Sequence, residues 1–359
     1  MFNGPELKMF SKVISANFKR PSFPAKLGYI TTYRCNLKCK MCKIWKKDVA
    51  DELNCGEIEK FFRRSNRFSW VGITGGEPFL RNDIHHIAEI VMDSCKELCV
   101  LHFATNGTLT EKIIDTAEDL IKHKNSKAKI LFSISIDGKR ELHDSIRGVP
   151  GSWEKSIRTF TRLKNMPGIE PKINITLTNH NMDAFEETFL SVKDVFPSLK
   201  FDDIGVNMFQ KSPFYYSNQD LPDLKSEYLA HNIDKILLID KEAFSYNNFI
   251  RRLYLRTYKY FLSHKKPLFN CQALAFNCVI DPAGDVYPCA VFNKKTSNIR
   301  DFKYDLASFW QSETIKQLRE KCFHNDCPSC WSPCEAYSAI ICGLIGKAPR
   351  LIKIFSRGF

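Results

Sequence analysis

Apolar residues gather in short β-rich runs, and polar stretches of helical period separate them. The runs are Gly28–Tyr33, Trp70–Thr74, Val100–Thr105, Ile130–Ile136, Lys172–Leu177 and Asp203–Met208. A strand pattern that repeats with a helix after it predicts βα units around a parallel sheet. Six units are too few for an eight-unit barrel, so the expectation is an α/β fold built as a partial (βα)6 barrel. Turn signals follow several runs at once: Gly75-Gly76, Asn106-Gly107, Asp137-Gly138 and Asn179. Ligands of such sheets bind at the C-terminal strand ends, where these turns fall.

Beyond the last run the pattern turns helical, with Tyr254, Tyr258, Tyr260 and Phe261 close together, and a cysteine-rich stretch follows. The chain therefore divides into a basic amphipathic segment (1–26), a core (27–220), a helical connector (221–266), a small cysteine-rich domain (267–342) and a basic apolar tail (343–359). With 44% hydrophobic and 26% charged residues, disorder and collagen are excluded. No apolar run is long enough to span a bilayer, and the start lacks the apolar centre of a signal peptide, so a cytoplasmic location is expected. A chain of 359 residues needs no disulfide scaffold, so its 14 cysteines call for metal or redox chemistry. The excess of 53 Lys+Arg over 40 Asp+Glu is marked at both ends. Phe10, Val13, Ile14 and Phe18 lie among Lys8, Lys12 and Lys19, while Leu351, Ile352, Ile354 and Phe355 alternate with Arg350, Lys353 and Arg357. Either end would serve solubility, cover the protein's own apolar surface, or make a peripheral contact with an anionic membrane.

Cys35-Asn36-Leu37-Lys38-Cys39-Lys40-Met41-Cys42 follows the first predicted strand with the spacing C-x3-C-x2-C. Three thiolates can hold three irons of a [4Fe–4S] cluster and leave the fourth open to a small chelating molecule. A structural zinc site instead wants a fourth ligand close by, and Cys55, His85 or His86 would supply it.

Downstream segments, in order and each at a strand end, decide between these. Together with the triplet they resemble the radical S-adenosylmethionine (SAM) superfamily from about Lys26 to Met208. Gly75-Gly76-Glu77-Pro78 resembles the motif that holds the SAM amino group, and Thr105-Asn106-Gly107 the third-strand turn. Ser133-Ile134-Ser135-Ile136-Asp137-Gly138 and Arg147-Gly148 are similar to the fourth-strand signature and the segment after it. The resemblance implies that Cys35, Cys39 and Cys42 hold a [4Fe–4S] cluster, that Ser135 and Arg147 meet the SAM carboxylate, and that Met41 packs near the adenine. It also implies the reaction: SAM is reductively cleaved, and the 5′-deoxyadenosyl radical takes a hydrogen atom from an unactivated carbon. An electron donor such as a flavodoxin, a ferredoxin or their reductase is implied as a partner. Of His102, His143 and His180, only His143, near Arg147, is worth testing; no catalytic acid or base can be named.

The cysteine-rich domain opens on Cys271-x12-Gly284-x4-Cys289, with Asn277–Cys289 reading as a hairpin around Pro282-Ala283-Gly284. It resembles the SPASM and twitch extensions of radical SAM enzymes, which bind auxiliary iron–sulfur clusters. The spacing Cys322-x4-Cys327-x2-Cys330-x3-Cys334-x7-Cys342 departs from the SPASM pattern. The resemblance to the twitch type implies one auxiliary cluster on Cys271, Cys289, Cys327 and Cys330; a second, if there is one, would draw on Cys278, Cys322, Cys334 and Cys342. A zinc ribbon remains the alternative. Cys55, Cys95 and Cys99 read as small apolar residues.

The auxiliary cluster would oxidise or position the substrate. Cys330–Ala336 resembles proteins of cell-surface polysaccharide assembly, so the expected substrate is a carbohydrate or lipid-linked intermediate. The 34 residues before Cys35 are too few for a leader-peptide-binding domain, which makes a peptide or protein maturase the alternative. A small molecule also fits, and a non-enzymatic iron–sulfur or zinc protein is the competing class. Lys and Arg are not interleaved with aromatics, so no nucleic acid is expected.

Overall fold

The computed structural model describes residues 21–48, 51–123, 128–240 and 245–346. The basic apolar ends proposed for membrane contact lie outside the described residues.

Six strands, β1 (Lys26–Ile30), β2 (Trp70–Thr74), β3 (Val100–Thr105), β4 (Lys129–Ser135), β5 (Ile169–Leu177) and β6 (Ile204–Met208), run parallel in chain order. Helices α1 (Cys55–Arg64), α2 (Ile84–Ser94), α3 (Thr110–Lys122), α4 (Arg140–Arg147) with α5 (Ser152–Lys164), and α6 (Phe185–Val195) follow the strands in turn. Alternation along the strands sorts the faces. Leu27, Tyr29, Val71, Ile73, Phe103, Phe132, Ile173 and Val206 enter the main apolar core under the helices. The opposite row holds the small or polar Gly28, Gly72, His102, Ser133, Asn174 and Gly205, beside Ile30, Trp70 and Leu131. The fold is α/β, the partial (βα)6 barrel that the pattern predicts.

β4 and β6 differ from the sequence reading by one residue at an end, and β1 and β5 by more. β1 stops at Ile30 because Thr32 and Arg34 turn their carbonyls to the N–H groups of Gly76 and Glu77. β5 starts at Ile169 and carries Pro171 inside it; β6 joins only from Ile173, so the missing N–H disrupts no ladder there.

Helices α7 (Ser226–Ile239) and α8 (Tyr246–His264) form the connector. Buried Arg251 pins α8 through the carbonyls of Phe201 and Ile204 and the Asp240 carboxylate. The cysteine-rich part then extends the barrel sheet. β7 (Asn277–Ile280) pairs parallel with β1, and the hairpin to β8 (Asp285–Tyr287) turns at Gly284, whose φ of +87° suits glycine. β9 (Ser297–Asn298), α9 (Leu306–Trp310), α10 (Glu313–Phe323) and α11 (Pro333–Gly346) complete the described residues. No helix of the described residues is long and apolar enough to cross a membrane.

Candidate active site

The loop after β1 carries the first cysteine triplet and rests on backbone-to-backbone contact. A Cβ on Gly76 would stand 2.2 Å from the Arg34 carbonyl, and one on Gly75 2.4 Å from that of Thr32. Two glycines here let the β2 turn close onto the base of the loop. From the other side, the Lys38 and Lys40 N–H groups donate to the carbonyls of Arg147 and Ile146 at the end of α4. Cys35, Cys39 and Cys42 all border one apolar cluster with Leu37, Met41 and Ile146. Burial, and then the neighbouring thiols, pushes Cys42 up to about 12, and burial pushes Cys35 up to about 11.

The motif carboxylate turns inward. Glu77 is fully buried and accepts from the Asn106 N–H at 2.8 Å, the Thr105 hydroxyl at 2.8 Å and the Phe79 N–H at 3.2 Å. Those bonds tie the β2 turn to the β3 turn, where Asn106 reaches on to Asn36 of the cysteine loop at 2.8 Å. Pro78 opens a short 3-10 turn behind it. Burial nonetheless pushes Glu77 up to about 7.

Arg147 is also engaged within the protein. Its guanidinium meets the buried Asp137 carboxylate at 2.6 Å and lies 3.8 Å from the Cys39 sulfur. The sequence places Asp137 in a turn and in the fourth-strand signature, and no short-range signal marks it as the partner of Arg147. His143 is fully buried and accepts the Asp137 N–H at 3.1 Å, with burial pushing it down to about 3; it is neutral and holds the turn. His102 meets the Ser133 hydroxyl at 2.8 Å on the small, polar strand face. Ser135, at the end of β4, is half-buried.

A segment the sequence did not single out straps these parts together. After β6, Asn218 donates to the Met41 carbonyl at 3.0 Å, and the Tyr216 carbonyl accepts the Lys43 N–H at 2.9 Å. The Tyr215 hydroxyl bonds Thr74 at 2.8 Å and donates to the Gly75 carbonyl at 3.3 Å. Phe214 stacks on Tyr287 of β8 with ring centres 3.9 Å apart.

In the second group Cys271, Cys289, Cys322 and Cys330 border one small cluster with Ala273, Val291 and Phe292. Cys327, expected among the four, lies outside this apolar cluster, though its thiol is close enough to act on those of Cys322 and Cys330; Cys322 at the end of α10 is within the cluster. A helix brings Cys322 back to the hairpin, which spacing alone does not reveal. Backbone N–H groups of Ala273 and Phe292 point at the Cys271 and Cys289 sulfurs, at 3.4 and 3.3 Å. Donors aimed at sulfur suit thiolates of an iron–sulfur cluster. Cys278 lies in the main core and Cys342 beside Phe276. Cys334 lies in the first turn of α11, where the Glu335 carboxylate accepts from Asn277 at 2.8 Å and burial pushes it up to about 7.

The residues offered for zinc are engaged elsewhere. The Cys55 thiol donates to Asp83 at 3.1 Å, and His85 lies 3.2 Å from Glu89. Among the described residues no three His, Cys, Asp or Glu side chains converge as ligands of a single ion. Each thiol group instead borders a packed apolar cluster. The donor sets, three thiols in the first and four thiols with aimed N–H groups in the second, suit the ligands of iron–sulfur clusters.

Comparison with known proteins agrees with this fold. Residues 29–192 match the radical SAM superfamily and residues 271–335 match the SPASM iron-sulfur cluster-binding domain. The chain is 29% identical over 324 residues to the antilisterial bacteriocin subtilosin biosynthesis protein AlbA of Bacillus subtilis, covering 85% of this chain and 65% of AlbA. It is 25% identical to an AdoMet-dependent heme synthase of Oleidesulfovibrio alaskensis over 85% of this chain and 81% of that protein. With the mycofactocin maturase MftC of Mycolicibacterium smegmatis it shares 26% identity over 86% and 75%. The solved structure of Streptococcus suis SuiB bound to S-adenosylmethionine superposes with a TM-score of 0.60 at 20% identity, covering 88% of this chain and 71% of SuiB. The two matched domains together span more than half of the residues, and the chain belongs to the radical SAM superfamily, with a C-terminal SPASM domain.

Proposed function

We propose that the chain is a radical SAM maturase that modifies a peptide or protein at an unactivated carbon. The observation that supports this most directly is the similarity to AlbA and MftC across most of this chain. The substrate first expected, a carbohydrate or lipid-linked intermediate, has less support from these relatives than the peptide alternative. The heme synthase similarity favours a second reading, in which the substrate is a tetrapyrrole.

In this proposal Cys35, Cys39 and Cys42 hold the SAM-binding cluster, and Cys271, Cys289, Cys322 and Cys330 hold an auxiliary one. Bound there, the cluster and SAM supply one-electron cleavage of the sulfonium and a primary carbon radical. The protein's share is positional. The Gly75-Gly76 backbone and Ser135 at the strand ends orient SAM, Met41 gives the loop an apolar underside, and Glu77 with Asn106 locks the two turns beneath. A flavodoxin- or ferredoxin-type carrier supplies the electron. The domain limits follow the same reading: core 27–220, connector 221–266, auxiliary domain 267–342.

The test incubates anaerobically reconstituted protein with SAM, dithionite and either candidate peptides from the neighbouring genes or an iron–tetrapyrrole. A mass change in a peptide, with 5′-deoxyadenosine formed in step, supports the maturase. Turnover of the tetrapyrrole with inert peptides favours the second reading.

A further inference from the structure

We propose that Arg147 is a fixed positive charge held against Cys39 by Asp137, and that this pair sets how readily a cluster on the first triplet accepts its electron. The inference rests on the reading of Cys35, Cys39 and Cys42 as cluster ligands. It assigns Arg147 a role different from the SAM-carboxylate contact that the family resemblance implies.

The geometry leaves Arg147 little freedom. One guanidinium nitrogen meets Asp137 at 2.6 Å and another lies 3.8 Å from the Cys39 sulfur, in a site where both side chains are buried. Asp137 is fixed in turn: its carboxylate accepts the Thr176 N–H at 2.8 Å, its carbonyl accepts from Asn181 at 2.9 Å, and its own N–H donates to His143 at 3.1 Å. The Arg147 backbone is held too, its carbonyl accepting the Lys38 N–H at 3.0 Å. Gly148 follows with a φ of +72°, and a Cβ there would stand 2.5 Å from the Lys38 carbonyl. The end of α4 is thus clamped onto the cysteine loop, and the cation cannot swing away to a ligand without leaving buried Asp137 unpaired.

The sign follows from charge. One electron from a low-potential donor adds one negative charge to the cluster and no proton need accompany it. A cation at the sulfur favours the reduced form, more strongly in a buried site than in water. Arg147, 3.8 Å from the sulfur, acts on Cys39 more strongly than Asp137 does, and with the opposite sign. Removing the cation and removing the anion must therefore shift the equilibrium in opposite directions, whereas mere loosening of the loop would not.

The experiment is an anaerobic dithionite titration of the reconstituted protein followed by electron paramagnetic resonance, without SAM. The relevant signal is the one missing from the variant with all three triplet cysteines changed to Ala. Arg147→Met should reduce the reduced-to-oxidised ratio at a fixed potential at least tenfold, a shift of about 59 mV for one electron. Asp137→Asn should raise that ratio, and Arg147→Lys should stay within about threefold of the unaltered protein. If Arg147→Met fails to assemble, the other two variants carry the comparison. Shifts of the same sign, or none, overturn the proposal. So does weaker SAM binding in equilibrium dialysis with an unmoved potential, which would return Arg147 to the carboxylate. A triple variant that keeps every signal would overturn the cluster assignment itself, a result distinct from any of these.

Discussion

Replacing Glu77 by Gln asks whether the motif carboxylate serves a ligand or the fold. Glu77 is fully buried and pushed up to about 7 from an ordinary 4.5, chiefly by burial. Its folded-state pKa lies above the unfolded one, so between these values the folded protein holds the extra proton. The stability this proton contributes is complete below about pH 4.5 and is lost as pH rises through about 7. A shift of that size corresponds to about 3 kcal/mol, at about 1.4 kcal/mol per pKa unit. Glu335 is pushed the same way, to about 7, so the two acids share the slope. Gln cannot ionise, and it turns an NH2 toward the donors that Glu77 now accepts from, which costs about 1–3 kcal/mol at pH 5. Urea unfolding of the anaerobic protein at pH 5 and 8 should show Glu77→Gln less stable at pH 5 and falling by about 3 kcal/mol less between the two. Glu335→Gln should remove a similar part independently. Glu77→Gln protein with the full pH dependence, unchanged stability and lost SAM affinity would refute the reasoning, because the carboxylate would then face the ligand.

Changing Cys35, Cys39 and Cys42 together to Ala should remove about four of about eight irons per chain, read by iron analysis of anaerobic protein. Cys322→Ala should lose the auxiliary cluster's iron and Cys327→Ala should keep it; the reverse result would restore the ligand set expected from spacing. Gly76→Ala sets a Cβ 2.2 Å from the Arg34 carbonyl, which is backbone and cannot give way. It should lower the melting temperature far more than Gly151→Ala, where nothing lies within 4 Å and only the positive φ costs about 1–2 kcal/mol.

What the sequence made legible follows from the range of the interaction. The β2 and β3 limits were read in full because their alternation and flanking turns are local. The glycines of Gly75-Gly76 could be singled out, but not their reason, which is the approach of a backbone some forty positions earlier. Asp137 was legible as a turn residue and not as the partner of Arg147, since nothing local pairs a strand-end acid with a base one helix away. Cys322 was legible as a ligand of a second cluster and not as a neighbour of Cys289, because α10 sets its distance from the hairpin. The strap from Phe209 to Asn218 has no periodicity to detect, and its work is done by side chains reaching Met41, Thr74 and Tyr287.

The pairing of β7 with β1 has the widest consequence for the site. The cysteine loop leaves the end of β1, and the hairpin leading to Cys289 leaves the end of β7, so two groups far apart in sequence grow from neighbouring strands of one sheet. The space between is bridged by aromatic and polar contacts. The Tyr33 hydroxyl donates to Asp281 at 3.1 Å, Lys47 lies over the Tyr33 ring and reaches the Phe214 carbonyl, and Phe214 stacks on Tyr287. Tyr33, Phe214, Tyr215 and Tyr287 share one buried cluster whose margin includes Cys35 and Cys42. A close-packed cluster transmits displacement instead of absorbing it. A shift of the hairpin must therefore reach the triplet through Tyr33 and the Gly75 turn through Tyr215. The two cysteine groups are set at a fixed spacing by the sheet.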